Sequence, residues 1–289
     1  MILTGRAKLA GVIGWPVAHS RSPRLHGYWL ERYKIDGAYV PLPVPPPQVA
    51  QALRMLALMG FRGVNVTVPH KEAALAAVDV VDPKARRIGA VNTVLMEADG
   101  ALKGLNTDGE GFLNHLRASA PDWRADVGPA VVIGAGGAAR AVVAALLEVG
   151  VPEIRLINRT RERAEELALS LGNGALRHKG NGVIRVEPWI ARNGALEGAA
   201  LAVNTTTLGM TGQPALDLDL EALPATACVF DCVYAPLETP LLAAARARRL
   251  KAVDGLGMLI HQARLGFALW FGIEPEVDGA LYQFLAEGL

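Results

Sequence analysis

The stretch "VVIGAGGAAR", residues 131–140, restricts the fold more than any other part of the chain. An apolar run that fits a buried strand meets Gly134, Gly136 and Ala139 in the spacing GxGxxA, and an alanine-rich helical pattern follows at once. Glycine permits the tight strand-to-helix turn and lets backbone approach a pyrophosphate, whose charge then lies among the free N–H groups of a helix N-terminus. Alone the spacing is a weak signal. Between a strand and a helix, with a second strand following in "EIRLINRT", it reads as a βαβ dinucleotide-binding unit. That second strand also selects the dinucleotide. An NAD-binding unit carries Asp or Glu about 20 residues past the glycines to receive the ribose hydroxyls. Here Asn158, Arg159, Thr160 and Arg163 stand instead, a basic set suited to the 2′-phosphate of NADP. The plainer reading of Arg163, as the start of a solvated helix face, stays beside it.

A second α/β region precedes this one. "KLAGVIG", "GAYVPLPV" and "RGVNVTV" read as strands alternating with helical "PRLHGYWLERY" and "PPQVAQALRMLALMG", which predicts βαβ units around a mostly parallel sheet. Pro45, Pro46 and Pro47 suit a helix start and Gly60 a helix end. Downstream, "LAVNTT" and "ACVFDCV" supply strands, Thr239 and Pro240 open a helix, and "GLGMLIHQARLGFALWFG" makes a long apolar one. The stretch 172–182, "GNGALRHKGNG", reads as a loop.

Polar residues gather where the strands of the first region should end. They are Ser20 and Ser22 in "AHSRSP", Asn65, Thr67 and Lys71 in "NVTVPHK", Asn92 in "GAVNT", and Asn106 and Asp108 in "GLNTDGEG". In open α/β sheets ligands bind outside the carboxyl ends of strands, so these residues can converge on one pocket. Neutral donors and acceptors in this number suit a small polyhydroxy molecule, and the serines suit its carboxylate. Hydride reduction of a ketone leaves negative charge on oxygen and needs a proton donor, a role that fits Lys71 with Asp108 as its partner. Each residue also has an ordinary reading. Ser22 before Pro23 caps a helix, Asn92 and Asn106 serve turns, Asp108-Gly109 is a turn dipeptide, and Lys71 is a surface charge.

Composition closes off other classes. With 29 basic and 28 acidic residues among 289, the formal charge of +1 provides no general attraction to nucleic acid or an anionic membrane. No run approaches the roughly 18 apolar residues of a membrane span, and "MILTGRAKLAGVIG" lacks a leader pattern, so a cytoplasmic location is expected. Cys228 and Cys232 read as buried thiols, and the histidines lack ligand spacing, so no metal is expected.

Taken in order, "SRSP", "NVTVPHKE", "GAVNT", "NTDGEG", "GAGGAAR", "NRT" and "DGLGMLIHQA" resemble the shikimate dehydrogenase family across nearly the whole chain. The resemblance implies reversible NADPH-dependent reduction of 3-dehydroshikimate to shikimate, in the shikimate pathway of aromatic amino acid biosynthesis. It implies a substrate-binding catalytic α/β domain over 1–112 and a Rossmann-like NADP-binding domain over 113–256. A C-terminal helical segment over 257–289 would return to the first domain. Lys71 and Asp108 take the catalytic positions, and Ser20, Ser22, Thr67, Asn92, Asp108, Tyr234 and Gln262 the substrate-binding ones. Gly134, Ala135, Gly136, Gly137, Ala138, Asn158, Arg159, Thr160, Arg163 and Gly255 take the cofactor-binding ones. A quinate/shikimate dehydrogenase using NAD and a non-catalytic NADP-binding sensor stand as alternatives, and a homodimer is left open.

Overall fold

A computed structural model describes residues 2–172 and 182–289, so most of the loop read at 172–182 lies outside the described residues. The chain divides into two compact units, the first comprising residues up to Asp108 together with Leu259–Glu287, the second Gly109–Met258 with Gly288–Leu289.

The first unit holds β1 (Lys8–Gly14), α1 (Ser22–Arg32), β2 (Gly37–Pro43), α2 (Val49–Leu58), β3 (Phe61–Val66), α3 (Lys71–Ala77), β4 (Val80–Val81), α4 (Pro83–Ile88), β5 (Thr93–Met96) and β6 (Leu102–Leu105). Its sheet runs β2-β1-β3-β5-β6-β4. The strands β2, β1 and β3 are parallel, as alternation with α1 and α2 predicts, whereas β5 is antiparallel to both β3 and β6. The short turn at 97–101 makes β5 and β6 a hairpin, which four-residue strands form without a crossover helix. Ile13, Leu53, Val64, Val66, Val94 and Leu102 meet in one of its cores. Gly60 takes φ +80° just past α2, the left-handed step expected of a helix end.

The second unit begins within α5 (Asp108–Ser119) and continues through β7 (Ala130–Ile133), α6 (Gly137–Glu148), β8 (Glu153–Ile157), α7 (Arg161–Gly172), β9 (Val183–Glu187), β10 (Leu201–Asn204), β11 (Cys228–Asp231), α8 (Pro240–Ala247) and β12 (Lys251–Val253). All its strands are parallel, in the order β12-β11-β10-β7-β8-β9. Strands buried on both faces read as continuous apolar runs, as "AVVI" does here with all four residues buried. The order reverses at β7, so the turn after β7 lies at the topological switch point where doubly wound sheets bind ligands. Thr239 caps α8 by accepting from Leu242 N at 3.2 Å, with Pro240 at its first position.

The helix α9 (Gly255–Phe271) starts in the second unit and continues into the first, and α10 (Gly279–Ala286) follows. Within the first unit the returning segment is anchored by ring packing and by long side chains on backbone carbonyls. Phe267 lies 5.2 Å from the Trp29 ring, Trp270 Nε1 donates to Val94 O at 3.2 Å, and Trp29 Nε1 donates to Glu276 O at 3.1 Å. No helix among the described residues is long and apolar enough to cross a membrane.

Candidate functional site

In the first unit the site is built on the carboxyl ends of β1 and β3 and on the starts of α3 and α5. Past β3 the ladder runs one residue further, Thr67 N donating to Ile13 O at 2.9 Å. Pro69 has no N–H to continue it, and the Val68–Pro69 bond is cis. His70 is then the N-cap of α3, its Nε2 fixed 2.8 Å from Val44 O. Lys71 is the first residue of α3, and with only 15% of its side chain exposed it is not the surface charge of the ordinary reading.

Lys71 Nζ donates to Asp108 Oδ2 at 2.5 Å, and the Asp108 side chain is 2% exposed. Asp108 opens α5, where a carboxylate is favoured by free N–H groups and the helix dipole. Asn92 Nδ2 donates to Asp108 Oδ1 at 2.7 Å and to Thr107 Oγ1 at 2.9 Å, while its Oδ1 accepts from Thr107 N at 2.9 Å. Asn92 is thus a fully bonded buried amide that holds Asp108, and its turn reading fails. Asn106 does serve a turn, accepting from Asp108 N at 3.0 Å and donating to Ala90 O at 2.9 Å.

Ser20 and Ser22 sit after β1, with Ser22 N donating to Ser20 Oγ at 3.3 Å. Ser22 is the first residue of α1 and Arg21 its N-cap, with no side-chain cap, so the Ser22 hydroxyl is not spent on the helix end as the ordinary reading supposed. The methyl of Thr67 occupies the space over Gly14, where an added Cβ would lie 2.5 Å from Cγ2. Neither the Thr67 hydroxyl nor the Gln262 amide on α9 has a hydrogen-bond partner among the described residues, so both are available to a ligand. Ser20, Ser22, Thr67, Lys71, Asn92, Asp108 and Gln262 all belong to the first unit, where hydrogen bonds join Lys71, Asp108 and Asn92, while Tyr234 and Gly255 belong to the second.

In the second unit Gly134 takes φ +115°, and a Cβ there would lie 2.4 Å from Thr205 Oγ1. Gly136 is the N-cap of the twelve-residue α6 and offers no side-chain cap, and nothing lies within 4 Å of where its Cβ would be. Open space in front of uncapped N–H groups is what a pyrophosphate requires, so the turn from Gly134 to Ala138 fits a dinucleotide. After β8, Asn158 Nδ2 donates to Thr160 O at 2.7 Å and holds the turn carrying Arg159. Arg159 and Arg163 are exposed and make no ion pair among the described residues, whereas Arg161 between them is paired with Glu165 at 2.7 Å. Gly255 is buried at the start of α9, its N–H directed at Val233 O at 3.3 Å.

One further polar cluster lay outside the sequence reading. Asp231, wholly buried at the end of β11, accepts from Asn204 Nδ2 at 2.9 Å, Val233 N at 3.0 Å and Thr239 Oγ1 at 2.7 Å. Burial pushes its carboxyl up to about 6, against those three bonds, which pull the other way. An acid in the apolar run "CVFDCV" was the available signal. Cys228 is buried and Cys232 half-buried past the strand end, with the Cys228 thiol pushed up to about 12 by burial. Among the described residues no group of three His, Cys, Asp or Glu is placed to hold a metal ion.

Comparison with known proteins agrees with this geometry. The family described as shikimate dehydrogenase substrate binding domain matches residues 12–94, that of shikimate / quinate 5-dehydrogenase residues 124–179, and that of shikimate 5'-dehydrogenase C-terminal domain residues 255–280. The shikimate dehydrogenase (NADP(+)) of Paramagnetospirillum magneticum is 59% identical over 98% of this chain and 99% of its own. That of Rhodospirillum rubrum is 60% identical over 97% of each. The crystal structure of shikimate 5-dehydrogenase from Thermus thermophilus in complex with NADP(H) and shikimate aligns with a TM-score of 0.83 at 40% identity, covering 98% of this chain and 100% of that one.

Proposed function

The chain belongs to the shikimate dehydrogenase family, and on that premise we propose that Lys71 and Asp108 move the proton of its reaction. It is an NADP-dependent oxidoreductase that interconverts 3-dehydroshikimate and shikimate, a step of aromatic amino acid biosynthesis. When bound, NADPH supplies the hydride that reduces the ketone carbon. Lys71 Nζ gives a proton to the alkoxide oxygen as it develops and takes it back in the direction of oxidation, so that ketone, hydride and proton balance to the alcohol. Asp108 holds Nζ through Oδ2 and bonds a neighbouring substrate hydroxyl. Ser20 and Ser22 receive the substrate carboxylate, Thr67, Gln262 and Tyr234 receive the rest of the substrate, and Asn92, its amide committed to Asp108 and Thr107, holds Asp108 in place for it. The turn from Gly134 to Ala138 receives the pyrophosphate of NADP, Asn158, Arg159, Thr160 and Arg163 its 2′-phosphate end, and Gly255 the nicotinamide side.

The observation that carries this reading is the buried Lys71–Asp108 pair at 2.5 Å. Burying two charges is costly, and a pair placed at a strand end by two helix starts is retained more readily for chemistry than for stability. General acid–base groups contribute about 10²–10⁴ in rate, so Lys71→Ala lowers kcat for shikimate oxidation at least ~100-fold, with the KM for shikimate changing far less. Near-normal turnover in a folded variant rejects the assignment.

A further inference from the structure

We propose that Tyr39 is a positioning residue for this site, its buried hydroxyl heading a one-way chain of hydrogen bonds that ends on Asp108. The proposal rests on the assignment of Lys71 and Asp108 above.

Tyr39 lies on β2, 7% exposed, and its hydroxyl donates to Asn65 Oδ1 at 2.6 Å. Burial holds its phenol well above the ordinary tyrosine value, so it stays protonated and is a donor. The two ends of an Asn amide differ only as donor and acceptor, so neighbours decide which way it points. With Oδ1 of Asn65 turned to Tyr39, Nδ2 faces Thr93 Oγ1 at 3.2 Å and Asn92 O at 3.3 Å. Thr93 Oγ1, accepting there, sends its own proton to Asn92 Oδ1 at 3.0 Å. Asn92 Nδ2 in turn donates to Asp108 Oδ1 at 2.7 Å, which leaves Oδ2 to Lys71. Every bond in the series runs one way, from Tyr39 to Asp108.

The ring is held as firmly as the hydroxyl. His26 of α1 stacks on Tyr39 with centroids 3.9 Å apart and planes 4° apart, and the Trp270 ring lies tilted 6.1 Å away. Burial drives His26 down to about 3, so the stack on Tyr39 carries no charge. Removing the hydroxyl frees the Asn65 amide while the stack remains. The loss is bounded, because Thr107 N independently directs Asn92 Oδ1 at 2.9 Å.

The test is steady-state shikimate oxidation by the full chain carrying Tyr39→Phe, alone and combined with Asp108→Asn. Alone, kcat/KM for shikimate falls roughly threefold to tenfold, the KM for NADP stays unchanged, and the melting midpoint stays close to the parent. In the Asp108→Asn background the same substitution alters the residual kcat by less than about twofold, because its route to Lys71 is already cut. An unchanged kcat/KM, or the same factor on kcat in both backgrounds, overturns the proposal. If Tyr39→Phe does not fold, Asn65→Ser enters the same cycle with the same criteria. Lys71→Ala separates the two readings: if it retains turnover, the proton assignment has failed, and if it loses turnover while Tyr39→Phe is silent, only the positioning role has.

Discussion

The two units present functional groups in opposite ways. In the first, the site is made of side chains that are buried and bonded to one another, with Lys71, Asp108, Asn92, Thr93 and Thr107 in one network. In the second, the turn after β7 has no side chain to offer beyond methyl groups, and what the proposed cofactor site presents is backbone N–H groups, space, and two guanidiniums that make no ion pair among the described residues. The difference follows from the ligand's task. A proton must be delivered to one atom, which needs a side chain fixed to within a fraction of an ångström. A pyrophosphate needs only diffuse positive potential and close approach, which backbone supplies without side-chain entropy.

The sharpest attempt to break this contrast is a single methyl group in the backbone-built site. Gly134→Ala places a Cβ 2.4 Å from Thr205 Oγ1 at φ +115°. Strain of this kind costs about 1–3 kcal/mol, on top of the collision, so the KM for NADP rises on the order of 100-fold. The KM for shikimate remains near the parent value. Thr205 moves aside only by surrendering its bond to Ile133 O at 2.7 Å, which extends the damage to the end of β7. An unchanged KM for NADP would mean that the backbone of this turn is not the cradle.

What could be read before the structure was known divides along the same line. The turn at Gly134 and the basic turn at Arg159 were legible because strand, turn and helix are contiguous, and one short pattern carries the geometry. Lys71 and Asp108 are 37 residues apart and meet only because β3 and β6 end side by side through β5. Sequence suggested the pair from the need for a proton donor and from family resemblance, not from position. The antiparallel β5 and β6 were hidden because four-residue strands carry too little alternation to reveal direction. Tyr39 and Asn65 were illegible as partners, since their pairing depends on how β2 and β3 both register on β1.

Asp231 is the exception that sharpens the contrast, a buried carboxylate in the backbone-built unit. Asp108 has Lys71 as its counter-ion, whereas Asp231 has only neutral donors and is pushed up to about 6. The sign follows directly. The native state binds this proton more tightly than the unfolded chain, whose carboxyl titrates near 3.8, so the stability it contributes is complete below that value and lost as pH climbs through about 6. At one factor of ten per pH unit the loss reaches about 3 kcal/mol at most. Asp231→Asn removes that slope. Denaturant unfolding of both proteins at pH 4.5 and pH 7.5 reads it as a difference of differences, and equal pH dependence in the two would show that Asp231 is ionised in the native state throughout.

The smallest expected effect tests the remaining part of the second unit, its exposed cations. Arg159 is solvent-exposed, so water and salt screen any contact it makes with a 2′-phosphate, and one charge-assisted bond there is worth about tenfold in affinity. Arg159→Ala therefore raises the KM for NADP about tenfold at low salt and less at high salt, while the KM for NAD, which lacks that phosphate, does not move. Arg163 keeps part of the charge in place, which is why the loss is not larger. If both cofactors weaken equally, Arg159 holds the turn rather than the phosphate. If neither weakens, discrimination lies with Arg163 and the Asn158–Thr160 turn, and the unit selects its dinucleotide by backbone shape there as it does after β7.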